Sequence, residues 1–328
     1  MLTLYLIQAI VPLFLIAWLA FAPPRNWVGF WVQALAIGVA LLAISMTGIW
    51  AFPPWWMIYV FGALLVGVVV THLARRHQRA FWPKAPFGWL SVAAFVGLGV
   101  YTANEARVTF AAIQTPLERA IQLASPLSSG TYLVANGGAG GSVNAHATLL
   151  DQSIERHKPY WGTAHGIDFI ALNNLGVRAD GLMPADPKRY IIFGRPVIAP
   201  CAGVVVAAVD GLPDLQVPQM DPTHLAGNHI ILRCADGDIL LGHFKQGSLL
   251  VTIGQSLAIG ASIAQVGNSG NTSEPHLHIN AMKPGTARAP FSGAPIPMLI
   301  DGEYLVRNNR FSVATGFGQP RPTVGGPS

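Results

Sequence analysis

From Met1 to Pro24 the chain carries no charged side chain, and the apolar character persists through the first third of its 328 residues. Four apolar runs stand out, at residues 2–22, 27–49, 55–73 and 86–103. The first three reach the ~20 residues that a helix needs to cross a bilayer. The fourth is shorter and contains Gly88, Gly97 and Gly99. None shows the polar face of a helix at the surface of a soluble core. Trp27, Trp50, Trp55, Trp56 and Trp89 sit at run ends, where indoles favour the membrane interface. A cleaved signal peptide has a basic start and a short apolar centre; the first run has neither, so it reads as a retained span. Composition agrees, since charged residues make up only 11% of the chain against about 25% in soluble domains.

Basic residues set the expected orientation. The segment between runs three and four holds Arg75, Arg76, Arg79 and Lys84; that between runs one and two holds Arg25; that between runs two and three holds none. The positive-inside rule puts the first two loops in the cytoplasm and everything after run four outside. The expected location is the cytoplasmic (inner) membrane, multi-pass, with an extracytoplasmic or periplasmic C-terminal domain. His72 and His77 belong to the basic loop and carry no assigned chemistry. The net charge of +5 comes partly from these arginines. No lysine-rich tract or interleaved aromatic stripe points to nucleic acid. The runs contain no charged residue, so no ion or proton pathway is visible, and they read as an anchor in the lipid bilayer.

After the runs the pattern changes. Residues 105–130 read as a connector, residues 131–312 as a folded domain, and the Pro/Gly-rich residues 313–328 as a disordered tail. "PLSSGTYLVANGGAGGSVNAHATLL" suggests a strand, a glycine-rich turn and a return strand. "NGGAGG" lacks the lysine and following helix of a phosphate-binding loop. From about Arg189 onward short β-branched runs alternate with Gly and Pro. "NHIILRCADGDILLGHF" reads as two strands joined at "ADGD". Many short strands with frequent glycines suggest a compact antiparallel barrel or sandwich. The two cysteines, Cys201 and Cys234, are equally compatible with a disulfide and with two buried thiols. "LPDLQVPQMDPTHLAGNH", with His224 and His229, looks like an insertion between strands, of the kind that shapes a cleft.

The strongest local chemistry is "GNSGNTSEPHLHI". Strand alternation places His276 and His278 on one face and turns Leu277 into a core. Imidazole is a favoured zinc ligand, and a second one nearby serves as acid or base. His243 ends another strand in "LLGHFKQG". Asp168, in "HGIDFIA", follows an apolar stretch where a buried carboxylate needs a partner. No H-E-x-x-H occurs, which excludes the helix-based metalloprotease arrangement.

The succession "HGIDF", "GRPVIAPCAGVV", "GNHIIL", "LLGHF" and "GQSLAIGASIAQVGNSGNTSEPHLH" resembles the lysostaphin-type, LytM-like zinc endopeptidases of peptidoglycan, over about residues 160–280. The resemblance implies a mainly-β antiparallel barrel or sandwich domain of the duplicated hybrid motif type, following an N-terminal α-helical membrane region of about four transmembrane helices. It implies Zn2+ as cofactor, held by His165, Asp168 and His278, with His243 and His276 as the catalytic pair. It implies cleavage of peptide bonds in peptidoglycan cross-links or stem peptides, or in another extracytoplasmic peptide. Three protein ligands leave zinc a position for water, whose pKa falls to near neutral.

One departure bears on the ligand set. The family's first motif has His and Asp four apart, and four before Asp168 stands Ala164; His165 is one place late. Three readings stay open. A β-bulge turns His165 onto the metal face. Alternatively, His146 in "NAH" or His157 supplies the ligand. In the third, the site is degenerate, and the domain binds cell wall or regulates a partner cell-wall hydrolase.

Overall fold

The computed structural model describes residues 2–75, 79–116 and 119–313. Four helices come first: α1 (Leu2–Phe21), α2 (Trp27–Thr47), α3 (Met57–Ala74) and α4 (Pro86–Ala112). By length and composition α2, α3 and α4 can each cross a membrane, whereas the described apolar stretch of α1, Leu6–Phe21, is shorter. Three of the four expected spans therefore stand on this criterion. α4 continues beyond residue 103 because nothing stops it: no Gly or Pro occurs between Val100 and Ala112, so Glu105 and Arg107 extend the helix into the segment expected as connector. Small residues let α2 and α4 approach closely; a Cβ on Gly99 would lie 3.5 Å from the Ala36 side chain.

The two ends of the bundle are tied differently. At one end Asn26 caps α2 by accepting from Gly29 N at 2.7 Å. The free amides of Trp27 and Val28 donate to the carbonyls of Ala80 and Phe81. The loops at residues 22–26 and 79–85 thus lie together. At the other end Gln8 grips the Ile49 backbone twice, Nε2 to O at 3.0 Å and N to Oε1 at 3.1 Å.

The β-domain holds thirteen strands: β1 (Ile121–Leu123), β2 (Gly130–Asn136), β3 (Ile167–Ala171), β4 (Pro196–Ile198), β5 (Gly203–Val209), β6 (Asn228–Arg233), β7 (Asp238–Phe244), β8 (Ser256–Leu257), β9 (Ser262–Gln265), β10 (Leu277–Met282), β11 (Pro295–Ile296), β12 (Met298–Ile300) and β13 (Arg310–Val313). Nine form one open sheet in the order β13-β2-β3-β10-β7-β6-β5-β8, with β11 on β10. Its pairings are antiparallel. β4–β9 and the parallel β1–β12 make two small sheets. Of the expected antiparallel barrel or sandwich, the antiparallel sheet is present but does not close into a barrel: among the described residues β13 and the two-residue β8 remain edges. The expected return strand after the glycine-rich turn is also absent, and residues Ala145–Leu150 form a 3-10 helix instead. Asn144 starts it, accepting from His146 N at 3.1 Å, a side-chain cap that competes with strand pairing. Of residues 313–328, expected as the tail, Val313 ends β13 and residues 314–328 lie outside the described residues.

Alternation splits the sheet into two faces. Val134, Ile167, Phe169, Leu241, Leu277 and Ile279 enter the main core, together with Val197 and Ile263 of the β4–β9 pair. The opposite face of β2 and β3 packs Leu133, Ala135, Ile170 and Leu172 against Ile49 and Ala51, between α2 and α3, with Trp55 alongside. Arg310 lies 3.5 Å over the Trp55 ring, and Trp56 Nε1 donates to Leu175 O at 3.0 Å. The domain is docked on the end of the bundle where α2 connects to α3.

A disulfide joins Cys201 and Cys234, 33 residues apart, and both pack against the core. Replacing both with alanine frees a loop whose closure entropy is worth about 3–4 kcal/mol. The urea midpoint for exchange of the β5–β6 amides falls accordingly; an unchanged midpoint would show that the bond does not constrain the unfolded chain.

Candidate metal centre

The centre lies on the docking face of the sheet, where β3 and β10 pair Asp168 with His278. Asp168 is buried among imidazoles. His278 Nδ1 is 2.9 Å from Asp168 Oδ1, His146 Nε2 is 3.0 Å from Oδ2, and His276 Nε2 is 3.6 Å from Oδ1. Asn136 Nδ2 donates to Oδ2 at 2.8 Å. Donor atoms of His146, Asp168 and His278 all lie within 4.8 Å of one another. Burial alone would raise the Asp168 carboxyl, but the adjacent imidazoles, His146 and His276 foremost, hold it well below the usual range. Asp168 is therefore a carboxylate.

The hydrogen bonds fix which nitrogen of His278 is free. Asn280 Nδ2 donates to Gly162 O at 3.0 Å, so its Oδ1 faces His278 Nε2, also at 3.0 Å. Nε2 must then carry the proton, leaving the Nδ1 lone pair against a carboxylate oxygen at 2.9 Å. Two acceptors that close require a shared cation. Burial lowers the His278 pKa, which disfavours a second proton there. Two imidazoles and one carboxylate also suit zinc. The residues present fit the metal.

His243 and His276 stand beside this group, ring centroids 4.6 Å apart. His243 has φ 64°, a conformation costing about 1–3 kcal/mol off glycine. Its N–H donates to Ala226 O, and its carbonyl accepts from Gly267 N. Nδ1 donates to Ser269 O at 2.8 Å, which leaves Nε2 as the acceptor. Burial, then His276 and His278, push the His243 pKa well below its ordinary value. His276 Nδ1 is held by Glu274 O at 2.9 Å and Thr272 Oγ1 at 3.0 Å. Glu274 is itself anchored by a buried ion pair with Arg178, Nη2 to Oε2 2.8 Å.

Of the residues singled out in the sequence, Asp168, His243, His276 and His278 converge. His165 does not join them: it lies in the turn before β3, outside the donor cluster. A bulge does occur, but on β2, between Val134 and Asn136; it brings Asn136, not His165, to Asp168. His157 is buried with Nδ1 on Asp151 O, a packed side chain away from the cluster. His146 fills the gap, reaching in from the 3-10 helix. Asn144 Nδ2 ties its loop to Gly138 O and Gly166 O. Gly166 is needed for the approach: a Cβ there would sit 2.6 Å from His278 Cε1 and 3.1 Å from His146 Cδ2. His224 stays on its exposed loop, paired with Asp221 at 2.6 Å, and His229 Nδ1 bonds Gly227 O.

Asn136, Asn280 and Arg307 were not anticipated. Asn280 had a signal, since positions 276, 278 and 280 alternate onto one face. The other two are joined to Asp168 only by tertiary contact.

Residues 191–290 match the model of Peptidase family M23, so the chain carries an M23 (LytM/lysostaphin-like) domain there. Members of this family are zinc metallopeptidases. The matched span contains His243, His276 and His278, whereas Asp168 and His146 precede it. The chain is similar to solved structures of a candidate M23 peptidase from Pseudomonas aeruginosa, at 15% identity over 56% of this chain and 51% of that one, TM-score 0.29. It is similar to the catalytic domain of lysostaphin from Staphylococcus simulans, at 22% over 39% and 74%, TM-score 0.25. It is also similar to a zinc-containing peptidase from Vibrio cholerae, at 20% over 40% and 48%, TM-score 0.23. The alignments thus span about half of the Pseudomonas and Vibrio chains. No curated protein matches.

Two outcomes follow from the geometry. Gly166→Ala forces His146 and His278 apart and lowers metal affinity by about tenfold or more, read by competition with a chromophoric chelator; unchanged affinity would show that the close approach is not needed. The metal-free chain loses stability as pH falls. His243 and His278 have depressed pKa values, so their contribution is complete above the ordinary imidazole value of about 6.5 and is lost below it. His229, depressed by burial, acts in the same direction; His146 is raised, Asp168 outweighing burial, and opposes this with one group against three. Asp168 adds a loss only below about pH 4. A urea midpoint that rises on acidification from pH 7 to 5 would contradict this.

Proposed function

We propose that this chain is a multi-pass membrane protein whose β-domain is an extracytoplasmic zinc endopeptidase, cutting peptide bonds in peptidoglycan cross-links or stem peptides. One observation carries the proposal: two imidazoles and a carboxylate gather their donor atoms within 4.8 Å, beside two further histidines whose Nε2 atoms are left as acceptors. In this reading His146, Asp168 and His278 hold the metal, and His146 takes the part that the sequence assigned to His165. Zinc, when bound, supplies Lewis-acid polarisation of a carbonyl and a lowered pKa for water.

The protein side chains do the rest. His243 Nε2 is neutral and accepts the proton of the attacking water. His276 Nε2, once protonated, donates to the oxygen or nitrogen that gains charge as the peptide bond breaks. Asn280 and Asn136 hold the ligand side chains in one orientation, as outer partners of metal ligands do. The location fits the substrate. The arginine-rich loop and the β-domain lie at opposite ends of the bundle, so a cytoplasmic basic loop sets the domain on the wall side.

The test uses the full chain in detergent. About one zinc per chain is expected, lost on His146→Ala and retained on His165→Ala. His243→Ala keeps zinc and lowers kcat/KM by about 10²–10⁴ on isolated sacculi, with new amino termini read by mass spectrometry. Zinc lost on His165→Ala but kept on His146→Ala would reverse the ligand assignment. A zinc-loaded wild type that opens no peptide bond in sacculi would replace the enzyme with a wall-binding or regulatory domain. A reporter fused after Val313 tests sidedness; a cytoplasmic signal would remove the wall as substrate.

A further inference from the structure

Arg307 stands between the helices and the metal centre. Its guanidinium is largely buried, and desolvation, opposed by the charge of Asp168, brings its pKa down to about 10. It donates to four oxygens on three pieces of chain. Nη1 reaches Thr47 O, the last residue of α2, at 2.6 Å and Ser142 O at 3.0 Å. Nε reaches Ala135 O at 2.9 Å, and Nη2 reaches Asn136 Oδ1 at 2.8 Å. The C-terminal carbonyls of a helix carry partial negative charge and favour a cation.

Each acceptor leads to the centre. Ala135 is the bulged residue of β2. Ser142 lies on the loop that delivers His146. Asn136 has its Oδ1 held by Arg307 and by Ala145 N at 3.3 Å, so its Nδ2 is turned to Asp168. The next residue clasps the same helix end without touching the site: Asn308 Oδ1 accepts from Trp50 N at 3.0 Å, and Nδ2 donates to Gly48 O at 2.8 Å.

We infer that Arg307 is a positioning residue that makes the geometry of the metal centre depend on docking of the β-domain against the outer end of α2. The inference rests on the ligand assignment proposed above. If the domain lifts from Thr47, the guanidinium loses its shortest bond. Asn136 and the 137–145 loop then lose the group that holds them, and Asp168 and His146 lose their fixed approach. Anything that shifts α2 against the domain, such as a partner protein bound to the helices, would tune metal retention.

The experiment uses the full chain in nanodiscs, with Arg307→Met, Arg307→Lys and Asn308→Gly. Asn308 has φ 69°, so glycine removes the clasp without backbone strain. Arg307→Met is expected to weaken zinc affinity about 10–100-fold, with partial rescue in Arg307→Lys. Asn308→Gly, remote from the ligands, is expected to weaken it about fivefold or more and to speed hydrogen exchange across residues 136–146 in the metal-free chain. Unchanged zinc affinity in Asn308→Gly, or faster exchange confined to residues 48–50 and 305–310, would overturn the inference. A wild type without zinc would sink the peptidase proposal, and the metal-free exchange measurement would still decide this one.

Discussion

An ionised carboxylate buried on a β-sheet is expensive unless it is matched, and Asp168 organises what surrounds it. Three imidazoles and an asparagine amide converge on its two oxygens. Three of these four groups are fixed from behind: His278 by Asn280, Asn136 by Arg307 and His276 by the Glu274 carbonyl. Apart from the Asn136 amide, which donates, the arrangement gathers acceptor atoms of His146, Asp168 and His278 around a place for positive charge, as a metal ion would supply.

This face of the sheet has a second task. Strand alternation that sends Ile167, Phe169 and Leu277 into the core sends Asp168, Ile170 and His278 the other way. Ile170 and Leu172 then meet the segment between α2 and α3. The candidate metal centre and the helix-docking patch therefore share one surface, separated by two residues along β3. A domain cut free of its helices would expose that apolar patch and release Arg307 from Thr47.

What the sequence made legible followed local periodicity. Apolar runs gave the long apolar helices, three of them able to span a membrane by length and composition, and alternation gave the common face of His276 and His278. The "ADGD" turn gave the β6–β7 hairpin, and His243 was placed at a strand end. What it did not reveal depended on contacts between distant segments. Nothing near Arg307 marks it as a neighbour of α2, 260 residues away. The return of charge at Glu105 and Arg107 marks the end of the apolar run but not of α4, which continues to Ala112, because helices stop at glycine, proline or a cap rather than at charge. Closure into a barrel requires strand tilt and register around the whole sheet, which short strand patterns do not encode.

The shifted histidine shows why motif spacing misleads. On an extended strand a side chain three residues before Asp168 points away from it, and only a bulge between them could correct this. The chain places its bulge on the partner strand instead, at Ala135. The turn ahead of β3 keeps His165 outside the cluster, and Ala164, in the family's ligand slot, is fully buried with no donor to offer. The room thus left is entered from another direction, over a glycine that neither His146 nor His278 could pass if it carried a side chain. Moving a donor from a strand to a loop changes what holds it. A strand residue is set by its ladder; His146 is set by Asn144 and by the loop that Arg307 grips. The position of His146 and the contact with α2 are therefore coupled through Arg307, and the offset of one position in the motif is the trace of that arrangement in the sequence.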